Sequence, residues 1–172
     1  MDAVDAPRGR PLNEYRVTKY DPKLRNPTGA YTRNEWTSFS DVGRSFDGAE
    51  LTSGEYRRIE DAYVAAAVAF LREAGVPSLT VRTLENARGR PVPFGEGEVL
   101  SVELIPDMLR GVLREEFWCR LEAVDAFVHV GWDYYMYVGV PRPCPFARLR
   151  AGILGLYVEQ FASPYREDSS DT

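Results

Sequence analysis

Between Ala126 and Val140 apolar and polar positions alternate with the period of a β-strand. Val128, Val130, Trp132, Tyr134, Met136, Val138 and Val140 fall on one face, and Phe127, His129, Gly131, Asp133, Tyr135, Tyr137 and Gly139 on the other. The even face reads as core, with Trp132 and Tyr134 explained by core packing, and the odd face as aromatic and half polar. Trp132-Asp133 suits a turn between two strands, Phe127–Gly131 and Tyr134–Val140, while one long bent strand fits the same letters; the alternation does not choose between them.

The same reading extends along the chain. Tyr15–Tyr20 alternates as a first strand, stopped by Asp21-Pro22. Lys23 to Asp47 is too polar for a strand and too aromatic for a disordered linker, so it is expected to be a long ordered loop with a short helical turn, pinned by Tyr31, Trp36, Phe39 and Phe46. Thr52-Ser-Gly-Glu55 has the spacing of a capping box, and Tyr56, Ile59, Tyr63, Ala67, Phe70, Leu71 and Ala74 recur at three and four residues up to Gly75, a good residue to end a helix. A helix over about Ser53–Ala74 follows, with the small run Ala65-Ala66-Ala67 allowing a sheet close approach. Ser78–Leu84 and Val99–Ile105 read as strands flanking the glycine- and proline-rich loop Arg88–Gly97. Pro106 suits the first turn of a short helix over Asp107 to about Glu116. Phe117–Glu122 reads as a strand, Phe146 to about Gly152 as a short helix, and Leu154–Phe161 as either a last strand or more of that helix. Residues 1–13 and 166–172 are polar and are expected to be disordered tails around a single domain over residues 14–165. Strands interrupted by separate helices, without strict βαβ alternation, imply an α+β fold with a largely antiparallel sheet, one long capped helix on a face and two shorter helices.

Charge narrows the function classes. With 21 basic and 26 acidic residues in 172, the chain carries a formal −5, which disfavours a phosphate-neutralising nucleic-acid surface and favours a basic protein partner. Cys119 and Cys144 stand in no ligand spacing and, with a single histidine, leave a zinc site short of ligands. Free thiols point to a reducing cytoplasm, Cys119 buried in a strand and Cys144 the more exposed of the two. The N-terminus has no apolar signal core and no run of about 18 apolar residues occurs, so neither secretion by that route nor a membrane span is expected. No nucleotide-binding glycine motif or nucleophile elbow is present, and no cofactor is expected.

The candidate site residues lie on the odd face: Tyr135, Tyr137, His129 and Asp133, with Trp36 from the long loop. Tyrosine and tryptophan favour interfaces and binding pockets. His129 with Asp133 would be the acid–base pair of an enzyme, but on a straight strand they stand about 13 Å apart and meet only if the chain folds back at Trp132. A partly buried histidine satisfied by a backbone or tyrosine group is the plainer reading.

Three segments together, Tyr20-Asp-Pro with Asn34-Glu-Trp-Thr-Ser-Phe-Ser-Asp-Val-Gly43, Val128 to Tyr137, and Gly155-Leu-Tyr-Val-Glu-Gln-Phe-Ala-Ser-Pro-Tyr165, resemble a group of small bacterial proteins with no assigned activity. In style the chain also resembles the immunity partners of bacterial toxins. The leading expectation is a non-enzymatic, cytoplasmic protein-binding protein, of immunity or regulatory type, whose acidic, aromatic surface covers a basic target. The alternative is a small-molecule enzyme or ligand-binding protein using the face around His129. The sequence leaves the oligomeric state open.

Overall fold

Alternating strands and a three-and-four repeat in the long helix each leave an apolar face to bury, and the chain satisfies both by laying helices over one sheet. The computed structural model describes residues 11–166. In chain order the strands are β1 (Asn13–Thr18), β2 (Ser45–Phe46), β3 (Ala49–Glu50), β4 (Ser78–Glu85), β5 (Val99–Ser101), β6 (Trp118–Ala123), β7 (Ala126–Val130), β8 (Met136–Val140) and β9 (Tyr157–Gln160), and the α-helices are α1 (Ser53–Ala74), α2 (Ile105–Leu113) and α3 (Pro145–Ile153). Seven strands form one antiparallel sheet in the order β5-β4-β6-β7-β8-β1-β9, and β2 and β3 form a separate small hairpin. The fold is α+β, with α1 on the sheet and in contact with both α2 and α3.

Residues 126–140 form a hairpin: Val128 pairs with Val138 and Val130 with Met136, while Gly131 donates its N–H to the carbonyl of Tyr135 across the turn. The even residues of β7 and β8 therefore face the helices together, joined there by Tyr15 and Val17 of β1 and by Tyr63, Ala66, Ala67 and Phe70 of α1. Thr52 caps α1 as its spacing predicts, its hydroxyl accepting from the Glu55 N–H at 3.1 Å, and Gly75 ends the helix in the left-handed region. The Glu55 carboxylate turns to Arg58 instead of back to the cap, so only half of the expected box forms.

Two expectations are corrected and one open reading is decided. Trp132 is not core: it leaves the ladder in the turn and is 84% exposed. The strand expected over Val99–Ile105 ends at Ser101, because Val102–Leu104 turn and Ile105 already opens α2 with Pro106 in its first turn. Leu154–Phe161, left open between strand and helix, splits: Gly155 takes a positive φ and β9 follows. The expected N-terminal tail falls largely, and the C-terminal one almost wholly, outside the described residues, but Asn13 belongs to β1 and Arg166 pairs with Glu14 at 3.0 Å.

Cys144, expected to be exposed, is fully buried and points its thiol at the carbonyls of Phe70 and Arg142. Burial pushes the Cys144 thiol up to about 11 and the Cys119 thiol up to about 12. A thiol reagent at pH 8 is therefore expected to find almost no reactive sulfur in the folded protein and two after denaturation without reductant. A fast-reacting native thiol would contradict the packing of the α1–α3 seam.

Candidate functional site

The odd face of β7 and β8 is not open. Residues 161–166 fold back across it, so His129, Phe127 and Tyr137 are all buried. Tyr137 lies with its ring centroid 6.0 Å from those of Phe161 and Tyr165, and Phe127 stacks on His129 at 4.3 Å. Gly139 makes this possible: a Cβ there would stand 2.2 Å from the Phe127 ring.

His129 has both ring nitrogens committed. Its Nε2 lies 2.9 Å from a Glu122 carboxylate oxygen and its Nδ1 2.7 Å from the Ser163 hydroxyl. Since a carboxylate only accepts, Nε2 carries the proton, Nδ1 accepts, and Ser163 donates while accepting the Tyr165 N–H at 3.2 Å. The ring is fully buried, and burial, with Arg120 and Arg166 adding to it and Glu14 opposing, pushes its pKa down to about 3. Arg120, 3.5 Å from the same Glu122 oxygen, already offsets that carboxylate's pull on the ring. The serine, histidine and glutamate are the members of a hydrolytic triad, but here they tie β6 and β7 to the C-terminal segment beneath two aromatic rings.

The consequence is a pH-dependent fold. Unfolded, the only histidine takes up a proton near pH 6.5; folded, it stays neutral until about pH 3. The unfolded chain then binds more protons throughout that window, and stability falls as pH falls, by about 2 kcal/mol between pH 6.5 and 5, where no other side-chain type ordinarily titrates. Denaturant melts at the two pH values measure it, and a His129→Gln variant is expected to lose the slope. An unchanged midpoint in the wild type would show that the ring is charged in the native state.

Of the other residues singled out by the sequence, Trp36 is buried in the core against Tyr56 and Tyr134, with centroids 5.5 and 5.0 Å away. Tyr135 is half-buried beside Tyr20 and the Arg16 guanidinium. Asp133 is exposed in the turn, where its carbonyl accepts from the Tyr20 hydroxyl at 2.6 Å, and it makes no bond to His129, whose partners are Glu122 and Ser163. The structure thus brings His129 and Tyr137 together under one cover and leaves Asp133 with Trp132 at the tip of the hairpin.

That tip borders a cleft of about 460 Å³. Val112 and Leu113 from the end of α2, Phe117 and Trp118 at the start of β6, and Tyr134 and Tyr165 make its apolar walls. Among the described residues that line it, Glu85, Glu115, Glu116 and Asp133 stand against the single cation Arg88, and Trp132 projects beside it. Trp118 is held by its indole N–H on the Val130 carbonyl at 2.8 Å. Five non-glycine residues among those described have positive φ, and three of them, Glu115, Asp133 and Tyr134, line this cleft. Each such backbone costs about 1–3 kcal/mol and persists only where its surroundings enforce it, a burden that gathers at functional sites. For Tyr134 the enforcement is visible: its carbonyl accepts from Tyr63 at 2.9 Å and its hydroxyl donates to Tyr56 at 2.9 Å.

No protein family, curated protein or solved structure matches this chain. Among the described residues no three His, Cys, Asp or Glu side chains converge to hold a metal ion, and no helix is long and apolar enough to cross a membrane.

Proposed function

We propose that the chain is a non-enzymatic binding protein of immunity or regulatory type, which holds a basic segment of another bacterial protein in the cleft beside Trp132. The observation that carries this reading is the combination at one place of an apolar cleft, four carboxylates against one arginine among the described lining residues, and a tryptophan 84% exposed at the rim. A solvent-facing indole next to a preformed apolar hollow is the usual form of an interface anchor. The carboxylates favour a lysine- or arginine-bearing partner and speed its approach, and the net charge of −5 acts in the same sense. The buried thiols agree with a reducing cytoplasm. A small organic ligand also fits the volume, and the enzyme reading around His129 lacks any opening to the ring.

With the partner purified from the protein's own cells, Trp132→Ala is expected to weaken binding by about 2 kcal/mol, roughly 30-fold, without changing the fold. Glu115→Lys with Glu116→Lys is expected to slow association and flatten its salt dependence. Should Tyr135→Ala abolish binding while Trp132→Ala leaves it intact, the surface lies on the Tyr135 face and the cleft reading fails.

A further inference from the structure

Lys19 and Lys23 are the only lysines among the 21 basic residues of the chain, the rest being arginine. Lys23 is exposed in a short turn after β1. Lys19 is different: its side chain is 7% exposed, with Nζ 4.1 Å from the Tyr20 ring centroid and 4.2 Å from that of Trp36. Its nearest charged neighbour is a Glu35 carboxylate oxygen at 4.0 Å, beyond hydrogen-bond distance. The amine lines a second cleft, of about 200 Å³, that is separate from the one beside Trp132. Trp36, Phe46 and Leu51 supply its apolar wall, and Glu35, Glu50 and Glu55 its charge.

We propose that Lys19 is a nucleophilic amine and that this cleft takes a small, uncharged aldehyde or ketone as an imine. The volume admits only a small molecule, the aromatic wall suits an apolar one, and the three carboxylates repel an anionic one. Burial lowers the Lys19 ammonium to about 8 against the opposing pull of Glu35 and Asp41. About a tenth of the amine is then uncharged at pH 7, against less than about a thousandth of an ordinary lysine, and an arginine here would offer no free lone pair. Solvent takes a proton from the ammonium, and the freed nitrogen attacks the carbonyl carbon as the C=O π pair moves to oxygen. A proton passes from nitrogen to that oxygen, giving a carbinolamine. The C–O bond then breaks as the nitrogen lone pair forms C=N, and a proton returned from solvent lets the oxygen leave as water. The product is a protonated imine near the Glu35 carboxylate. No oxidant or reductant is needed, and hydrolysis reverses every step.

The two lysines make the test internal to one molecule. The full chain is incubated at pH 7 with benzaldehyde and cyanoborohydride, which traps an imine as a secondary amine, and the adducts at Lys19 and Lys23 are quantified by peptide mass mapping. Lys19 is expected to be trapped at least about tenfold faster than Lys23, with a half-maximal rate near pH 8. Glyoxylate, an anionic aldehyde, is expected to lose that preference. Lys19→Arg is expected to abolish the fast adduct with unchanged circular dichroism; if that variant does not fold, the Lys19 to Lys23 ratio in the wild type still decides. Trapping at Lys19 no faster than at Lys23 is what an inert buried amine would give, and it would overturn the proposal. Equal preference for glyoxylate would overturn the ligand class.

Discussion

Replacing Arg110 and Arg114 together by methionine is expected to destabilise the protein by about 4–5 kcal/mol, more than removing the carboxylate they hold. Glu60 sits on α1 with its side chain fully buried, and its two oxygens accept from Arg114 at 2.8 and 2.7 Å and from Arg110 at 3.2 Å, joining α1 to α2. The two guanidiniums keep about a third of their surface in water, at 33% and 34% exposure. The pair is therefore asymmetric. Glu60→Met leaves two cations that turn to solvent, and its cost is expected to be about 2–3 kcal/mol, whereas removing the arginines leaves a buried carboxylate with no counter-charge. Combining Glu60→Met with the two arginine changes is expected to recover much of the loss, since no buried charge then remains. Urea melts of the four proteins measure it. A double arginine variant no less stable than Glu60→Met would mean that groups other than the two arginines compensate the Glu60 carboxylate.

Ala67→Trp is expected to leave no cooperative unfolding transition at 25 °C. Ala66 and Ala67 have zero accessible surface in the hydrophobic core, at the middle of the 22-residue α1. Ordinary overpacking costs about 1–3 kcal/mol, and an indole in place of a methyl at a helix–sheet seam forces the two layers apart, well beyond that range and into the whole stability of a typical domain. Ala67→Ser, nearly isosteric, is the control and should keep the transition. A neutral Ala67→Trp in a denaturant melt would mean that α1 presents a different face to β8.

Much of this architecture is written locally. A threonine cap, a three-and-four repeat and a closing glycine place α1 within the residues the spacing predicts. The paired even positions of β7 and β8 are legible because one face must be apolar from end to end. Parity fails at Trp132, because the five residues 131–135 leave the ladder to turn, and strand alternation carries no information there. The partners of His129 were hidden for another reason. Ser163 is 34 residues away in sequence, and Glu122 comes within reach only because Val124-Asp125 makes a two-residue turn that pairs Ala123 with Ala126, a turn without the usual Asn-Gly signature. The cleft was illegible altogether, since its walls come from α2, β6, the hairpin tip and Tyr165. Its positive φ values at Glu115 and Tyr134 also oppose local preference.

Site-specific photocrosslinking reports whether a partner seats at the hairpin tip. Trp132 and Phe146 are the two most exposed aromatic residues among those described, at 84% and 76%, and Phe146 lies on α3, away from the residues that line the cleft. With a benzophenone amino acid at either position, a crosslink is expected from 132 to a lysine- or arginine-rich segment of a single partner, lost at high salt, and none from 146. A crosslink from 146 alone, or one from 132 to an acidic segment, would contradict that seating.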